Sequence, residues 1–138
     1  RALRATVLRH PPGHIQRTAA YFLSLGHYDA LVNRMKQAFK RRRQVMSDAI
    51  AAHGLTIAGQ GGLGGSCFWM VAPEHVDTEE LAQRLREKGV LIEPGHAFFA
   101  PGEAPRNYYR LAYSTIAIAR IAEGVELIAQ AIAETGSN

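Results

Sequence analysis

One cysteine, Cys67, is all that the 138 residues contain. No internal disulfide can form, which fits a reducing cytoplasm. Long apolar runs are also missing, and every apolar stretch is far too short to cross a bilayer. No charged start followed by an apolar core marks a signal peptide. Internal repeats and low-complexity tracts are absent. The six histidines (10, 14, 27, 53, 75 and 96) are scattered and, with a lone cysteine, give no metal-ligand spacing, so no metal is expected. The "GGLGG" loop (61–65) lacks the Gly-Lys-Ser/Thr of a phosphate cradle and precedes a strand rather than a helix. An initiator Met is lacking too: the chain opens "RALRATVLRH" and closes on "ETGSN", which reads as a frayed tail. The expectation is a piece of a longer protein, one that need not contain its own active site.

What is present is ordinary for a globular protein. Apolar residues make up 47% and charged residues 20%, enough for one compact domain. A domain of this size buries roughly two-thirds of its unfolded surface and needs neither disulfides nor metals to fold. The net charge is +4, and much of it comes from "RMKQAFKRRR" (34–43), where six of ten residues are Arg or Lys. Such a run either holds nucleic acid or solubilises a helix. Here the charges wrap around the helix with no aromatic residues between them on its outer face, so the solvated reading is preferred.

The periodicity predicts a chain of alternating elements. Pro-Pro-Gly at 11–13 breaks any helix, and Ile15, Ala19, Phe22 and Leu23 then recur at helical spacing up to Gly26. From His27 to His53 no Gly or Pro interrupts, and Leu31, Met35, Ala38, Phe39, Met46, Ala49 and Ile50 form one stripe. This predicts a helix of about 25 residues. Arg42 falls inside the stripe, as expected of a helix that spans two environments. "GQGGLGG" (59–65) is a turn, and "SCFWMVAP" (66–73) is a strand apolar on both faces, with Trp69 expected in the core and Cys67 expected as an inert buried thiol. A helix follows over 77–89, with Asp77 or Thr78 as N-cap and Leu81 and Leu85 inward. "VLIEPG" (90–95) is a short strand, 96–106 a loop, 107–114 a strand, and 115–134 a helix with Ile118, Ile121, Val125, Ile128 or Ala129, and Ile132 inward. The helix over 77–89 is long enough for a crossover between parallel strands. The class expected is α+β: a two-layer sandwich with a small mixed sheet, helices on one face, and a long N-terminal connecting helix.

"NYYRLAYS" (107–114) poses the functional question. Tyr109, Leu111 and Tyr113 take one face of the strand, and Tyr108, Arg110, Ala112 and Ser114 take the other. A guanidinium on a rigid strand forms two parallel charge-assisted hydrogen bonds with a carboxylate. The alternative is an edge arginine paired to a nearby glutamate.

The order of these pieces narrows the choice. An aromatic strand, a helix, Gly-Val-Leu-Ile-Glu-Pro-Gly (89–95), Phe-Phe-Ala (98–100), an Arg-Leu strand and an Ile-Ala-Glu-Gly-Val helix start resemble the C-terminal small domain of fold-type I pyridoxal-phosphate aminotransferases. The wording is most similar to the aminotransferase-like domain of MocR-type regulators of the GntR family. The resemblance covers nearly the whole chain. It implies division into an N-terminal segment (1–26) from the junction with a larger domain and a small domain (27–138) that includes the long helix. It implies that Arg110 grips the α-carboxylate of an amino acid, and that His96 and Phe98 are secondary candidates near the ligand. For both, ordinary packing or solvent exposure is the reading preferred. Such proteins hold pyridoxal phosphate on a lysine of a Ser-x-x-Lys segment that this chain lacks; Lys36, Lys40 and Lys88 all have solvated patterns. The chain alone is therefore expected to bind no cofactor and to contain no catalytic residue.

Three functions are compatible with this reading. One is the effector domain of a MocR-type transcriptional regulator, a cytoplasmic homodimer that binds an amino acid or amine and reaches DNA through an N-terminal winged helix. Another is the small domain of a true aminotransferase. The third is a free-standing α+β module for a ligand or nucleic acid.

Overall fold

The computed structural model describes residues 12–59, 65–100, 102 and 104–136. Residues 1–11, most of the expected glycine-rich turn (60–64) and the last two residues lie outside the described ones. The chain divides into two compact units, the first ending at Ala38 and the second beginning at Phe39.

The first unit holds helix α1 (Gly13–Ser24) and the opening turns of helix α2 (His27–Ala52). Pro12 stands at the N-cap of α1, where a missing N–H breaks no helical hydrogen bond. Gly26 follows the helix with φ of 72°, a conformation in which a Cβ would be strained. None of the α1 residues is buried, so the stripe of Ile15, Phe22 and Leu23 is exposed rather than inward. Leu31 and Met35 are exposed as well.

The second unit is built on a four-stranded sheet, β1 (Thr56–Ile57), β2 (Cys67–Val71), β3 (Glu93–Pro94) and β4 (Tyr108–Ala112), in the order β1-β2-β4-β3. Every pairing is antiparallel. The crossover through helix α3 (Thr78–Glu87) does carry β2 and β3 in the same direction, but β4 inserts between them. The expected parallel neighbours are therefore not neighbours. β4 is central, with Arg110 opposite Trp69 of β2 on one side and Glu93 of β3 on the other.

Helices α2, α3 and α4 (Ile121–Thr135) bury Met46, Ala49 and Ile50, Leu81 and Leu85, and Ile121, Val125 and Ile128 in one cluster with Phe68, Met70, Tyr109 and Leu111 of the sheet. One face of the sheet thus carries the core, as the alternation of β4 predicts. Burial pushes the Tyr109 phenol well above its usual range, so it stays neutral. Ile118 lies on a 3-10 turn (Ile118–Arg120) and is exposed, not inward. Asp77 is the N-cap of α3 and accepts from the Glu79 N–H. Burial pushes its carboxyl up, but that N–H and the Arg106 guanidinium at 2.9 Å outweigh the effect and hold it below the usual range.

Arg42 is the charge inside the apolar stripe. Its Nε donates to the Ile116 carbonyl and its Nη1 to that of Ser114, both at 2.9 Å. It closes the loop that leaves β4, across 72 and 74 residues of sequence. Arg42→Met keeps the apolar stem but leaves both carbonyls without this donor. It is expected to destabilise the second unit by about 1–3 kcal/mol, read as a shift of the urea midpoint at unchanged slope.

Candidate functional site

The side chains of Cys67, Trp69, Tyr108 and Arg110 stand on the sheet face away from the core. This face is half-buried, and aromatic rings dominate it. Trp69 is in contact with Tyr108 at 5.9 Å between ring centroids, with Phe98 at 5.5 Å and with Phe99 at 5.9 Å. Trp69 is therefore half-buried on the outer face of the sheet and not in the core expected from its apolar strand. Cys67 is free and half-buried, more accessible than the buried thiol expected. The misassignment has a simple cause. An all-apolar strand gives no alternation, so the sequence shows no preference for either face.

The rings of Phe98 and Phe99 reach the sheet because the chain turns sharply after β3. Residues Gly95–Phe98 form a 3-10 turn. Gly95 passes so close to β4 that a Cβ there would stand 2.5 Å from the Tyr108 carbonyl oxygen. Only glycine lets the backbone approach this closely.

Arg110 sits among these rings. Its guanidinium carbon lies 5.5 Å from the centre of the Phe98 ring, within cation–π range. Its Nη2 donates to Glu93 Oε1 at 2.5 Å. The hydrogen bond it donates to Glu93 holds the guanidinium above its already high usual range, so Arg110 is charged at any physiological pH. Its Nε is closed to solvent and has no hydrogen-bond partner among the described residues. The side chain as a whole is 37% exposed. Arg110 and Glu93 line a groove of about 540 Å³ together with Leu91, Ala112, Ile116 and Arg120.

The structure thus brings Phe98 to Arg110 but not His96. His96 Nδ1 lies 3.2 Å from Glu79 Oε1 and lines a separate cavity of about 390 Å³ with Asp77 and Arg106. Glu93 is the residue that reading the sequence did not single out. The alternative of an arginine paired to a glutamate was open, but pairing across strands depends on register, which a sequence separation of 17 conceals. Lys36 and Lys40 are exposed on α2, and Lys88 Nζ lies 3.3 Å from Glu134 at the surface. A Schiff base needs a buried lysine, and none of the three has that setting. A guanidinium with nitrogens still free for hydrogen bonding has the chemistry to hold an anion such as a carboxylate. No group of three metal-ligating side chains occurs among the described residues, and none of their helices is long and apolar enough to cross a membrane.

No family model matches the chain. Its fold is that of solved aminotransferases: it superposes on LysN, the alpha-aminoadipate aminotransferase of Thermus thermophilus, with a TM-score of 0.78 and 28% identity over 99% of this chain and 34% of that one. It has the fold of an aminotransferase domain. That relative was solved with N-(5'-phosphopyridoxyl)-L-leucine. In sequence the domain is 67% identical over 132 residues to the HTH-type transcriptional regulator TauR of Rhodobacter capsulatus, which covers 96% of this chain and 27% of the regulator. It is 35% identical over 71 residues to aromatic-amino-acid aminotransferase 1 of Thermococcus litoralis, 51% of this chain and 17% of that protein. The chain therefore spans about a quarter of the regulator's length and less than a fifth of the enzyme's.

Proposed function

We propose that this aminotransferase-like domain belongs to a transcriptional regulator of the MocR type and forms the carboxylate end of its effector site. The identity to an HTH-type regulator along nearly the whole chain carries this reading. In the complete protein, pyridoxal phosphate would be held by residues outside this chain and would supply an aldehyde that reacts with amines. Arg110 would bind the carboxylate of an amino acid, Phe98 and Trp69 would flank the guanidinium, and the aromatic face would limit water around the ion pair. Ligand binding would bias a two-state equilibrium that a DNA-binding domain reads. The protein would be a cytoplasmic homodimer.

The test uses the full-length protein loaded with pyridoxal phosphate. Its affinity for its own promoter DNA is measured with and without each of a panel of amino acids. At least one amino acid is expected to change DNA affinity by about fivefold or more, an ordinary coupling free energy. Absence of any change across the panel would count against an amino-acid effector.

A second reading rests on the likeness to aminotransferases in fold and in half the sequence. On it, the parent protein exchanges an amino group between an amino acid and a 2-oxo acid. Turnover of such a pair without any DNA binding would favour this reading.

A further inference from the structure

The proposed role of Arg110 leaves Glu93 unexplained, because a clamp awaiting a carboxylate already holds one. We propose that Glu93 is a specificity-determining residue: an internal carboxylate that competes with the ligand for the Arg110 guanidinium and sets the affinity a ligand must exceed. This inference rests on reading Arg110 as the carboxylate clamp.

Three observations carry it. The first is which nitrogen Glu93 takes. A residue that merely orients an arginine would hold Nε, the nitrogen nearest the backbone, and leave both terminal nitrogens for the ligand. Here the reverse holds: Nε is closed to solvent and has no partner among the described residues, while Glu93 Oε1 sits on terminal Nη2. Each of the two forks of a guanidinium uses Nη2, one with Nε and one with Nη1. The fork with Nε is covered, so a carboxylate must come to the Nη1–Nη2 end, where Glu93 already sits. Two carboxylates on one guanidinium repel each other, an element that acts against weak ligands.

The second observation is the ease of release. Glu93 occupies a two-residue edge strand, and about half of its side chain is exposed. Once displaced, it meets water rather than an apolar wall, so exchange costs little. The third is register. Glu93 and Arg110 are direct cross-strand partners, so the competing carboxylate is held at the clamp by the sheet itself. Arg120 and Arg86 line the same groove and offer a displaced Glu93 or the ligand further cationic neighbours.

Glu93→Gln is nearly isosteric and removes the charge; Glu93→Ala removes the competing oxygen as well. Both are made in the full-length protein loaded with pyridoxal phosphate. Binding of acetate, as a bare carboxylate, and of a panel of L-amino acids is measured by calorimetry. Both variants are expected to bind these probes about fivefold more tightly than the wild type, the size of losing a half-exposed ion pair. In the background of Arg110→Ala the gain is expected to vanish, since no guanidinium remains to compete for. Unchanged or weaker binding by both Glu93 variants, while Arg110→Ala still weakens binding, would overturn the inference and leave Glu93 as an orienting residue. Insensitivity of binding to Arg110→Ala would instead overturn the clamp assignment on which the inference stands.

Discussion

Arg110→Ala in the full-length protein is expected to weaken amino-acid binding by roughly thirtyfold to a hundredfold. The figure follows from losing two hydrogen bonds in which both partners are charged, on a face where aromatic rings exclude part of the water. Arg110→Lys keeps the charge but not the planar fork, so it should recover only a fraction of the affinity. Affinity for pyridoxal phosphate alone, read from the cofactor's absorbance, should stay close to that of the wild type, because Arg110 contacts Glu93 and the Phe98 ring and has no phosphate-cradle geometry. Equal loss of cofactor and amino-acid binding would mean that the substitution has damaged the site as a whole.

Gly95→Ala is expected to destabilise the second unit by about 2–3 kcal/mol, the cost of forcing an atom into a packed contact. The added Cβ would meet the Tyr108 carbonyl oxygen at 2.5 Å and its carbonyl carbon at 2.8 Å. The obstacle is backbone of the central strand, not the end of a flexible side chain, so it cannot move aside cheaply. The same carbonyl oxygen lies 2.9 Å from the Thr78 hydroxyl, which resists displacement from the other side. Urea melts of Gly95→Ala and Gly124→Ala form the test. Gly124 lies inside α4 with open space where its Cβ would be, so alanine there should stabilise by about 0.5–1 kcal/mol. If the two substitutions behaved alike, steric approach at Gly95 would not be the cause. Because Gly95 begins the turn that delivers Phe98 to Arg110, Gly95→Ala should also weaken ligand binding, whereas Gly124→Ala should not.

The reach of the sequence differed from element to element. Tyr109, Leu111 and Tyr113 alternate with Tyr108, Arg110 and Ala112, and the strand buries the first set and opens the second. Asp77 before two acidic residues marks the N-terminus of α3, and the structure makes Asp77 its cap. In both cases the signal is local, carried by neighbours within a turn or a pleat. Trp69 and Ile118 behave differently. Their apolarity says that burial is favourable, but not against which surface, and an apolar strand or the frayed start of a helix has no periodicity to decide it.

The sequence by itself determined the helices and three of the four strands, missing the two-residue β1, as well as the face of β4 that is buried and the arginine that stands out on the other face. Each follows from patterns a few residues long. Tertiary structure alone decided that β4 lies between β2 and β3, that Glu93 meets Arg110, that Phe98 reaches the guanidinium while His96 turns to Glu79, and that Arg42 closes a loop more than seventy residues away. These depend on register and on the close passage at Gly95, which are set by how separate elements pack. The chemistry of a clamp lies in one residue type, but which partner occupies it is a property of neighbours that the chain brings together only by folding.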